Sequence, residues 1–266
     1  MRARIRHTTR TEFFPKTAVA LLLGLAFLMI SCNGENVPDC FQNAGDTKRK
    51  VLDVTEFGKI TVFENLNLVL KQGSAHRVEV ESGEYLIEGV SAQVEEGRLV
   101  LHGDTGCNLV RKYGGTTVYV TAPNITEIRS STGLLISSDG VLSYPSLNLI
   151  AESYNNPETE TTDGSFDLDL EAVTVGIVVN GIAHFKLRGS TENFNITVAA
   201  GDSRIEAEGL VAQGVNVNHR GSNDVFVNPQ QRISGVIRGY GNVIGVNRPP
   251  EVEVEVLFNG RLIFRD

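Results

Sequence analysis

An all-β solenoid with coils of about 20 residues is the fold that the sequence predicts, and three observations lead to it. Short runs of apolar or alternating residues follow one another along most of the chain, separated by Gly, Asn and Asp. Apolar residues at helical spacing are almost absent. From about residue 124 onward, the short apolar runs recur at a nearly constant step.

Residues 51–123 contain the clearest individual strands and are predicted to form an N-terminal β region. Alternating or continuous apolar segments lie at 59–63, 67–70, 77–81, 98–101 and 117–120. Each is four or five residues long, which is typical of a strand and too short for a helix.

The repeat occupies residues 124–247 and predicts the register of the coils. Phe166, Phe185, Ile205, Val225 and Val243 are expected to be equivalent inward positions, separated by steps of 19, 20, 20 and 18 residues. A glycine lies shortly before each of them: Gly164, Gly181, Gly201, Gly221 and Gly241. A β-sandwich also has regular short strands, but nothing in it requires the register to recur at a fixed step. The pattern therefore favours stacked coils.

A polar insertion interrupts this repeat. Ile136 is expected to open the series of inward positions, and residues 152–160 then bulge from the coil before Phe166.

Outward residues one step apart alternate in charge, as stacked coils would require. One predicted ladder consists of Asp167, Lys186 and Glu206, and a second consists of Asp169, Arg188 and Glu208. Opposite charges then face each other on neighbouring strands about 4.8 Å apart. These ladders account for the acidic run 167–171 without a calcium site or the carboxylates of a polysaccharide lyase.

The N-terminal segment resembles the export signal of bacterial lipoproteins. Five basic residues precede the apolar stretch 17–31: Arg2, Arg4, Arg6, Arg10 and Lys16. That stretch is shorter than the roughly 20 residues needed to span a bilayer, and it ends at Ser31 and Cys32. We therefore expect 1–31 to be a signal peptide, with lipid on Cys32 anchoring the mature chain to a membrane. An ordinary secretory signal and an uncleaved anchor are the alternatives.

Residues 32–50 are polar and are predicted to form a tether between the lipid and the fold. The chain contains 24 Lys and Arg against 32 Asp and Glu, a net charge of −8, and becomes more acidic once residues 1–31 are removed. Such a chain is not expected to bind nucleic acid.

The two remaining cysteines, Cys40 and Cys107, are an even pair in an oxidising compartment and are predicted to form a disulfide. An unstrained disulfide closing so long a loop contributes roughly 2–4 kcal/mol. Two cysteines without His or Cys at short spacing are a poor metal site, so neither a metal nor another cofactor is expected.

Motifs for catalysis are also lacking, and the sequence predicts a protein that is not an enzyme. The histidines beyond residue 31 do not lie at metal-ligand spacing from one another, and nucleophile elbows, phosphate loops and calcium loops are missing. An acid/base pair could be assembled from the acids of the insertion, Glu152, Glu158, Glu160 and Asp163. Acids in a polar loop are, however, more commonly only solvated.

Several segments resemble the family called putative auto-transporter adhesin, head GIN domain, a domain of unknown function found in many Bacteroidetes lipoproteins. The similar segments are 57–62, 65–73, 78–81, 97–100 and 118–123, and the resemblance extends over roughly residues 52–250. The tripeptide Gly-Ile-Asn that names the family is here Asn65-Leu66-Asn67. The resemblance implies a right-handed β-helix-like stack, a surface or periplasmic location, and adhesion by name only. It carries over no catalytic residue.

Three functions remain open at this point. We favour a non-enzymatic envelope lipoprotein, adhesin-like, whose solenoid surface binds a protein or glycan partner. The alternatives are a protein that binds or degrades polysaccharide, and a structural or sensing component of the envelope. Exposed candidates for partner contacts are Tyr154, Phe226 and Tyr240, although the outward Phe226 could equally be sheltered beside Ile244 one coil later. Residues 248–266 are predicted to form a hairpin, turning at Asn259-Gly260, that caps the last coil; a partner-binding strand is the alternative.

Overall fold

The computed structural model of the chain describes residues 43–63, 65–103 and 114–265. Within these residues the protein consists of seventeen strands and their connections, with a single 3-10 turn at Ile87–Gly89 and no α-helix. The signal peptide 1–31, Cys32 and the predicted pair Cys40 and Cys107 lie outside the described residues.

The strands fall into an N-terminal and a repetitive group. The first group is β1 (Thr47–Leu52), β2 (Lys59–Phe63), β3 (Leu66–Gln72), β4 (Arg77–Gly83), β5 (Val90–Glu95), β6 (Arg98–Gly103) and β7 (Thr116–Ala122). The second group is β8 (Glu127–Ser131), β9 (Leu135–Leu142), β10 (Ser146–Ala151), β11 (Ser165–Val179), β12 (His184–Val198), β13 (Arg204–His219), β14 (Val225–Ile237), β15 (Val243–Gly245), β16 (Glu251–Val256) and β17 (Leu262–Phe264).

The predicted register of the repeat is confirmed. Parallel pairing aligns Phe166 with Phe185, Phe185 with Ile205, Ile205 with Val225, and Val225 with Val243. All five side chains are buried. Ile136 pairs with Phe166, so it does open the series.

The four long strands, β11 to β14, connect two parallel stacks within one continuous sheet. Their C-terminal halves extend β6, β2, β8 and β10 and are followed by β16, which together form stack A. Their N-terminal halves extend β7, β3 and β9 and are followed by β15 and β17, which form stack B. Each coil passes from stack A to stack B. Inward side chains of both stacks share one hydrophobic cluster.

The coil that comes first along the chain, β2 and β3, lies inside the stack and not at its end. Strand β2 lies between β6 and β8, and β3 lies between β7 and β9. Antiparallel strands complete this end: β5 pairs with β6, β4 pairs with β7, and β1 pairs with β4. The predicted N-terminal β region is therefore a set of coils with an antiparallel cover.

The predicted tether is too long at its C-terminal end, because residues 47–50 belong to β1. Their basic side chains are the reason for the polar pattern, and they pair with acids of the neighbouring segment. Lys48 lies 2.6 Å from Glu84, and Arg49 lies 2.5 Å from Glu81. A polar edge strand therefore resembled a linker in the sequence.

Glycines stack at one corner of the coils, where backbone passes directly over backbone. The amide of Asp202 donates to the carbonyl oxygen of Gly181 at 2.9 Å, and the amide of Ser222 donates to that of Gly201 at 2.9 Å. Gly201 has a φ of +86°, and a Cβ there would lie 2.1 Å from the carbonyl oxygen of Gly181. The recurring glycine in the sequence therefore marks a turn that side chains cannot occupy.

The first charge ladder has the predicted register, and the second is correct only in part. Asp167 pairs with Lys186 and Asp169 with Arg188 across β11 and β12. Arg188 lies 2.6 Å from Asp167 and 2.7 Å from Asp169, so one guanidinium bridges both acids. A bulge in β13 then places Gly209 opposite Arg188, so the prediction for Glu208 is wrong.

The predicted C-terminal hairpin is also wrong. Strand β16 pairs in parallel with β14, and β17 pairs in parallel with β15. The two strands thus form one more coil, and the amide of Gly260 donates to the carbonyl oxygen of Gly239 at 3.0 Å. Asn259-Gly260 is a coil corner, because the stack extends the parallel pairing that precedes it.

Candidate functional site

A cleft of about 290 Å³ opens on the outer face of stack A, beside the β5–β6 hairpin. We call it the outer cleft, and its lining includes Phe63, Gln93, Glu95, Arg98, His102 and Glu158. Three strands and the polar insertion contribute these residues. The cleft is therefore the place where the insertion meets the regular coils.

An aromatic pair lies in the outer cleft. The rings of Phe63 and His102 are nearly parallel, at 6°, with centroids 4.3 Å apart. Phe63 continues the parallel register of β2 with β6, which aligns Val62 with Leu101, so the two outward rings lie side by side. Phe63 is buried while His102 is exposed, and the imidazole therefore presents the accessible surface of the pair.

A chain of alternating charges connects the cleft to the insertion. Arg98 lies 2.5 Å from Glu127, Arg129 lies 2.8 Å from the same carboxylate, and Arg129 lies 3.3 Å from Glu158. The Arg98 guanidinium also donates to the hydroxyl of Thr61 at 3.2 Å. These contacts hold the insertion against β8 and the base of the cleft.

The carboxylate of Glu127 is the centre of this chain. Burial would raise the pKa of Glu127, but the hydrogen bond from Arg98 and the charges of Arg98 and Arg129 outweigh it and lower that pKa. Glu127 therefore stays ionised and keeps both arginines in place at neutral pH.

The insertion is organised by a buried acid. Glu152 accepts hydrogen bonds from the backbone amides of Tyr154 at 2.8 Å and Asn155 at 3.0 Å, and from the side chain of Asn156. Further along, the amide of Glu160 donates to the hydroxyl of Ser131 at 2.7 Å. Glu152, considered in the sequence as one member of an acid/base pair, thus shapes the loop.

The three predicted contact residues lie in different places. Tyr154 is 87% exposed near the start of the insertion, and Tyr240 is 64% exposed beside Phe258. Phe226 points outward but is only 6% exposed, because the guanidinium groups of Arg204 and Arg265 cover its ring at 4.8 and 5.0 Å. Phe226 is therefore not an exposed contact residue, and the alternative that it is sheltered beside Ile244, its partner in β15, is confirmed. The structure does not bring the three residues together.

A second, wider groove of about 560 Å³ lies where β11 and β12 bend between the stacks. Glu171 and Glu192 line it together with Ser143 and Thr191. Two of its hydroxyls are engaged, since Thr191 donates to the carbonyl oxygen of Val173 at 3.2 Å and Ser143 donates to the carboxylate of Glu171 at 3.4 Å. The groove is acidic and shallow, and we regard it as a consequence of the bend.

Histidines and acids do not converge on a metal site in the described part of the chain. His184 contacts Glu206 at 3.2 Å, and His219 is fully buried at the end of β13. Across residues 43–63, 65–103 and 114–265, no three His, Cys, Asp or Glu residues are placed to hold a metal ion. The same residues include no helix with the length and hydropathy of a membrane span.

Among the residues of the outer cleft, only Glu158 was considered in the sequence, as a member of an acid/base pair; the others were missed because they are far apart in the chain. Phe63 and His102 come together only through the pairing of β2 with β6, and Glu158 reaches them from the insertion. An outward aromatic at the end of a predicted strand was the available signal for Phe63.

The comparisons with known proteins agree on the fold. The profile of the family described as putative auto-transporter adhesin, head GIN domain, matches residues 56–249. A crystal structure of a putative adhesin from Bacteroides fragilis matches with a TM-score of 0.72 at 16% identity, covering 84% of this chain and 99% of that one. A putative lipid binding protein from Parabacteroides distasonis has a TM-score of 0.57 at 13% identity, covering 84% and 98%.

A putative adhesin from Parabacteroides merdae has a TM-score of 0.54 at 15% identity, covering 84% of this chain and 97% of that one. A comparison with curated proteins finds no significant match. At these identities the likeness to solved structures establishes the fold alone.

Proposed function

Because this chain belongs to the family described as putative auto-transporter adhesin, head GIN domain, we propose that it is a non-enzymatic envelope protein that binds a macromolecular partner through its coiled β surface. The partner is a protein or a glycan. The outer cleft is the contact site, and the rest of the stack is a rigid support.

The observation that carries this proposal is the insertion at the outer cleft. Residues 152–164 leave the regular coil, yet buried Glu152 and the contact from Arg129 to Glu158 fix them on the surface. A loop held in one conformation loses little entropy when it binds. Near its start, Tyr154 offers an exposed aromatic ring of the kind that concentrates binding energy in interfaces.

The coils themselves form a right-handed β-helix-like solenoid in this proposal. Parallel crossover connections within one sheet are right-handed in about 98% of cases, and successive coils here pair in parallel with matching register. Such a stack is stiff, because each coil is held by backbone hydrogen bonds to both neighbours. It therefore presents the cleft in a fixed orientation.

In this proposal, lipid on Cys32 anchors the protein at the outer membrane, facing outward. The basic head, the apolar stretch 17–31 and the small residue before Cys32 support this part of the proposal. Residues 33–46 then separate the lipid from β1. The fold is thereby held near, but not within, the membrane.

A binding assay tests the function. We would label the full chain carrying Cys32→Ala and measure its binding to intact cells of the producing bacterium and to mucin-coated surfaces. Tyr154→Ala combined with His102→Ala should reduce binding at least about tenfold, whereas Glu208→Ala, on an exposed and distant position, should not. If the protein with both Tyr154→Ala and His102→Ala bound as well as Glu208→Ala, the outer cleft would be rejected as the contact site.

Polysaccharide binding is a second candidate, and the pair of Phe63 and His102 favours it. The exposed imidazole of His102, stacked on Phe63 beside Arg98, Gln93 and Glu95, combines an aromatic platform with hydrogen-bonding groups, which is suitable for a sugar ring. Titration with soluble capsular polysaccharide distinguishes the two. Saturable binding that His102→Ala weakens and Tyr154→Ala does not would favour the glycan.

A further inference from the structure

The coil formed by β16 and β17, residues 251–265, is open on one side; we call it the open terminal coil. Its inward residues continue columns that are buried in every earlier coil. The column that ends at Val252 consists of Leu147, Val175, Phe194, Val215 and Ile233. Those five are at most 2% exposed, while Val252 is 38% exposed.

Other apolar side chains of the open terminal coil are exposed for the same reason. Val256 is 45% exposed, although its neighbour Ile237 is fully buried, and Leu257 and Phe258 are 52% and 50% exposed. Leu262 and Phe264 are only partly buried against the core. The end of the stack therefore leaves an apolar layer in contact with water.

The backbone edges of the open terminal coil are also free in the described structure. Strands β16 and β17 each pair with one described neighbour, β14 and β15. At the opposite end of the stack, antiparallel strands β5, β4 and β1 cover the coils, and β1 is protected by Lys48, Arg49 and Lys50. The open terminal coil has no comparable cover among the described residues, so it can accept additional strands.

Charges on the outward side of this coil are opposite on its two strands. The alternation of β16 places Glu251, Glu253 and Glu255 outward, and that of β17 places Arg261 and Arg265 outward. Glu253 pairs with Arg232, but Glu251, Glu255 and Arg261 have no ion-pair partner among the described residues. Glutamates therefore lie along β16, and arginines lie along β17.

We propose that two copies of this chain associate end to end through their open terminal coils, with β16 of each copy pairing antiparallel to β17 of the other. A two-fold axis perpendicular to the stack produces this arrangement. With Glu253 opposite Ile263 of the second copy, Glu251 meets Arg265 and Glu255 meets Arg261 on the outward side. On the inward side, the same register places Val252 against Phe264 and Val254 against Leu262.

Other end-to-end arrangements lack this complementarity. In one such arrangement, β16 of each copy pairs antiparallel with β16 of the other, with the glutamates still outward. Glu253 would then meet Glu253 and Glu251 would meet Glu255, and these like charges would repel each other. If β16 paired with the free edge of β5, the glutamates would meet the outward residues Ser91, Gln93 and Glu95. The interface is separate from the outer cleft, so the dimer would present two binding sites.

The test uses two charge variants of the full chain in a Cys32→Ala background. In Glu255→Arg, positions 255 and 261 of the two copies are both positive, and in Arg261→Glu they are both negative. Each variant alone should dimerise at least about tenfold more weakly than the parent. An equimolar mixture should recover the dimer, because each contact between positions 255 and 261 then joins one arginine and one glutamate.

Sedimentation equilibrium over a range of concentrations gives the dimer dissociation constants. Glu208→Arg makes the same charge change in the middle of the stack and should dimerise like the parent. The proposal is overturned if the parent stays monomeric at its highest soluble concentration, if it forms an open series of oligomers, or if the mixture does not recover the dimer. Circular dichroism of each variant identifies any loss of fold. If Glu255→Arg does not fold, Glu255→Gln takes its place, and it should weaken the dimer less than an arginine would.

Discussion

Phe166 and Phe185 stack face to face across two successive coils, with ring centroids 4.7 Å apart and an angle of 5° between the rings. They occupy equivalent positions in β11 and β12, and both are buried. This ring stacking adds a side-chain contact to the backbone pairing that holds β11 and β12 in register.

Loss of one of these rings should destabilise the whole stack. Phe185→Ala removes a fully buried aromatic side chain and leaves a cavity between neighbouring coils, so we expect a loss of about 3–5 kcal/mol in the free energy of unfolding. Lys186→Ala, at the adjacent outward position, should change it by less than about 0.5 kcal/mol. Urea unfolding followed by circular dichroism measures both, and equal effects would contradict the assignment of inward and outward faces.

The corner glycines predict a second contrast. Gly201→Ala places a Cβ 2.1 Å from the carbonyl oxygen of Gly181 at a φ of +86°, and should cost roughly 1–3 kcal/mol. Gly58→Ala is the matched control, because a Cβ there meets nothing within 4 Å. Thermal melts compare the two, and a Gly201→Ala protein as stable as Gly58→Ala would show that the corners are looser than described.

Glu152 should matter for stability while its neighbour Tyr154 should not. Glu152→Ala leaves the amides of Tyr154 and Asn155, which are partly buried, and the buried side-chain amide of Asn156 without their acceptor, which costs about 1–3 kcal/mol. Tyr154→Ala changes a ring that is 87% exposed and should leave the melting temperature unchanged. Limited proteolysis within 152–164 should also be faster in Glu152→Ala, and unchanged cleavage would mean that Glu152 does not organise the insertion.

Stability should depend on pH through His219. Burial lowers the pKa of His219 below its ordinary value of 6.5, outweighing the backbone of Asn223 and the charge of Asp224, which act to raise it. Below pH 6.5 the unfolded chain therefore binds a proton that the folded chain excludes, and the free energy of unfolding falls as the pH falls. His219→Leu should show a shallower decline between about pH 6.5 and 5.

Carboxylates stabilised by arginine, such as Glu127, contribute a separate loss at lower pH, because their pKa values are depressed in the folded state. Melts at half-unit steps of pH separate the two ranges. Parallel curves for the parent and His219→Leu above about pH 5 would contradict the role given to His219.

The register of the repeat could be predicted because every coil reuses the same signals. Phe166, Phe185 and Ile205 occupy one inward column, and a corner glycine precedes each of them at nearly the same distance. Periodicity of this kind is local in sequence and therefore visible. The bulge that displaces Glu208 is not periodic, and its only signal in the sequence is Gly209, a residue type that often marks a bulge inside a strand.

Neighbour relations between strands that are distant in sequence could not be predicted. Nothing in residues 59–72 shows that they lie between β6–β7 and β8–β9, since the inward pattern of β2 and β3 would suit any coil. Likewise, Asn259-Gly260 between alternating segments indicates a hairpin in an antiparallel protein, and only the stacked coils make it a corner. The outer cleft depends on the first of these relations, because the pairing of β2 with β6 places Phe63 beside His102.

Accessibility to proteinase on intact cells tests the central claim, that the lipid-anchored chain presents the outer cleft to a partner outside the cell. Cells of the producing bacterium would be treated with proteinase K, and the chain compared with a periplasmic marker and with Cys32→Ala. We predict digestion of the parent chain while the marker survives, and release of Cys32→Ala from the membrane fraction. Protection of the parent chain alongside the marker would place it on the periplasmic side and contradict the account.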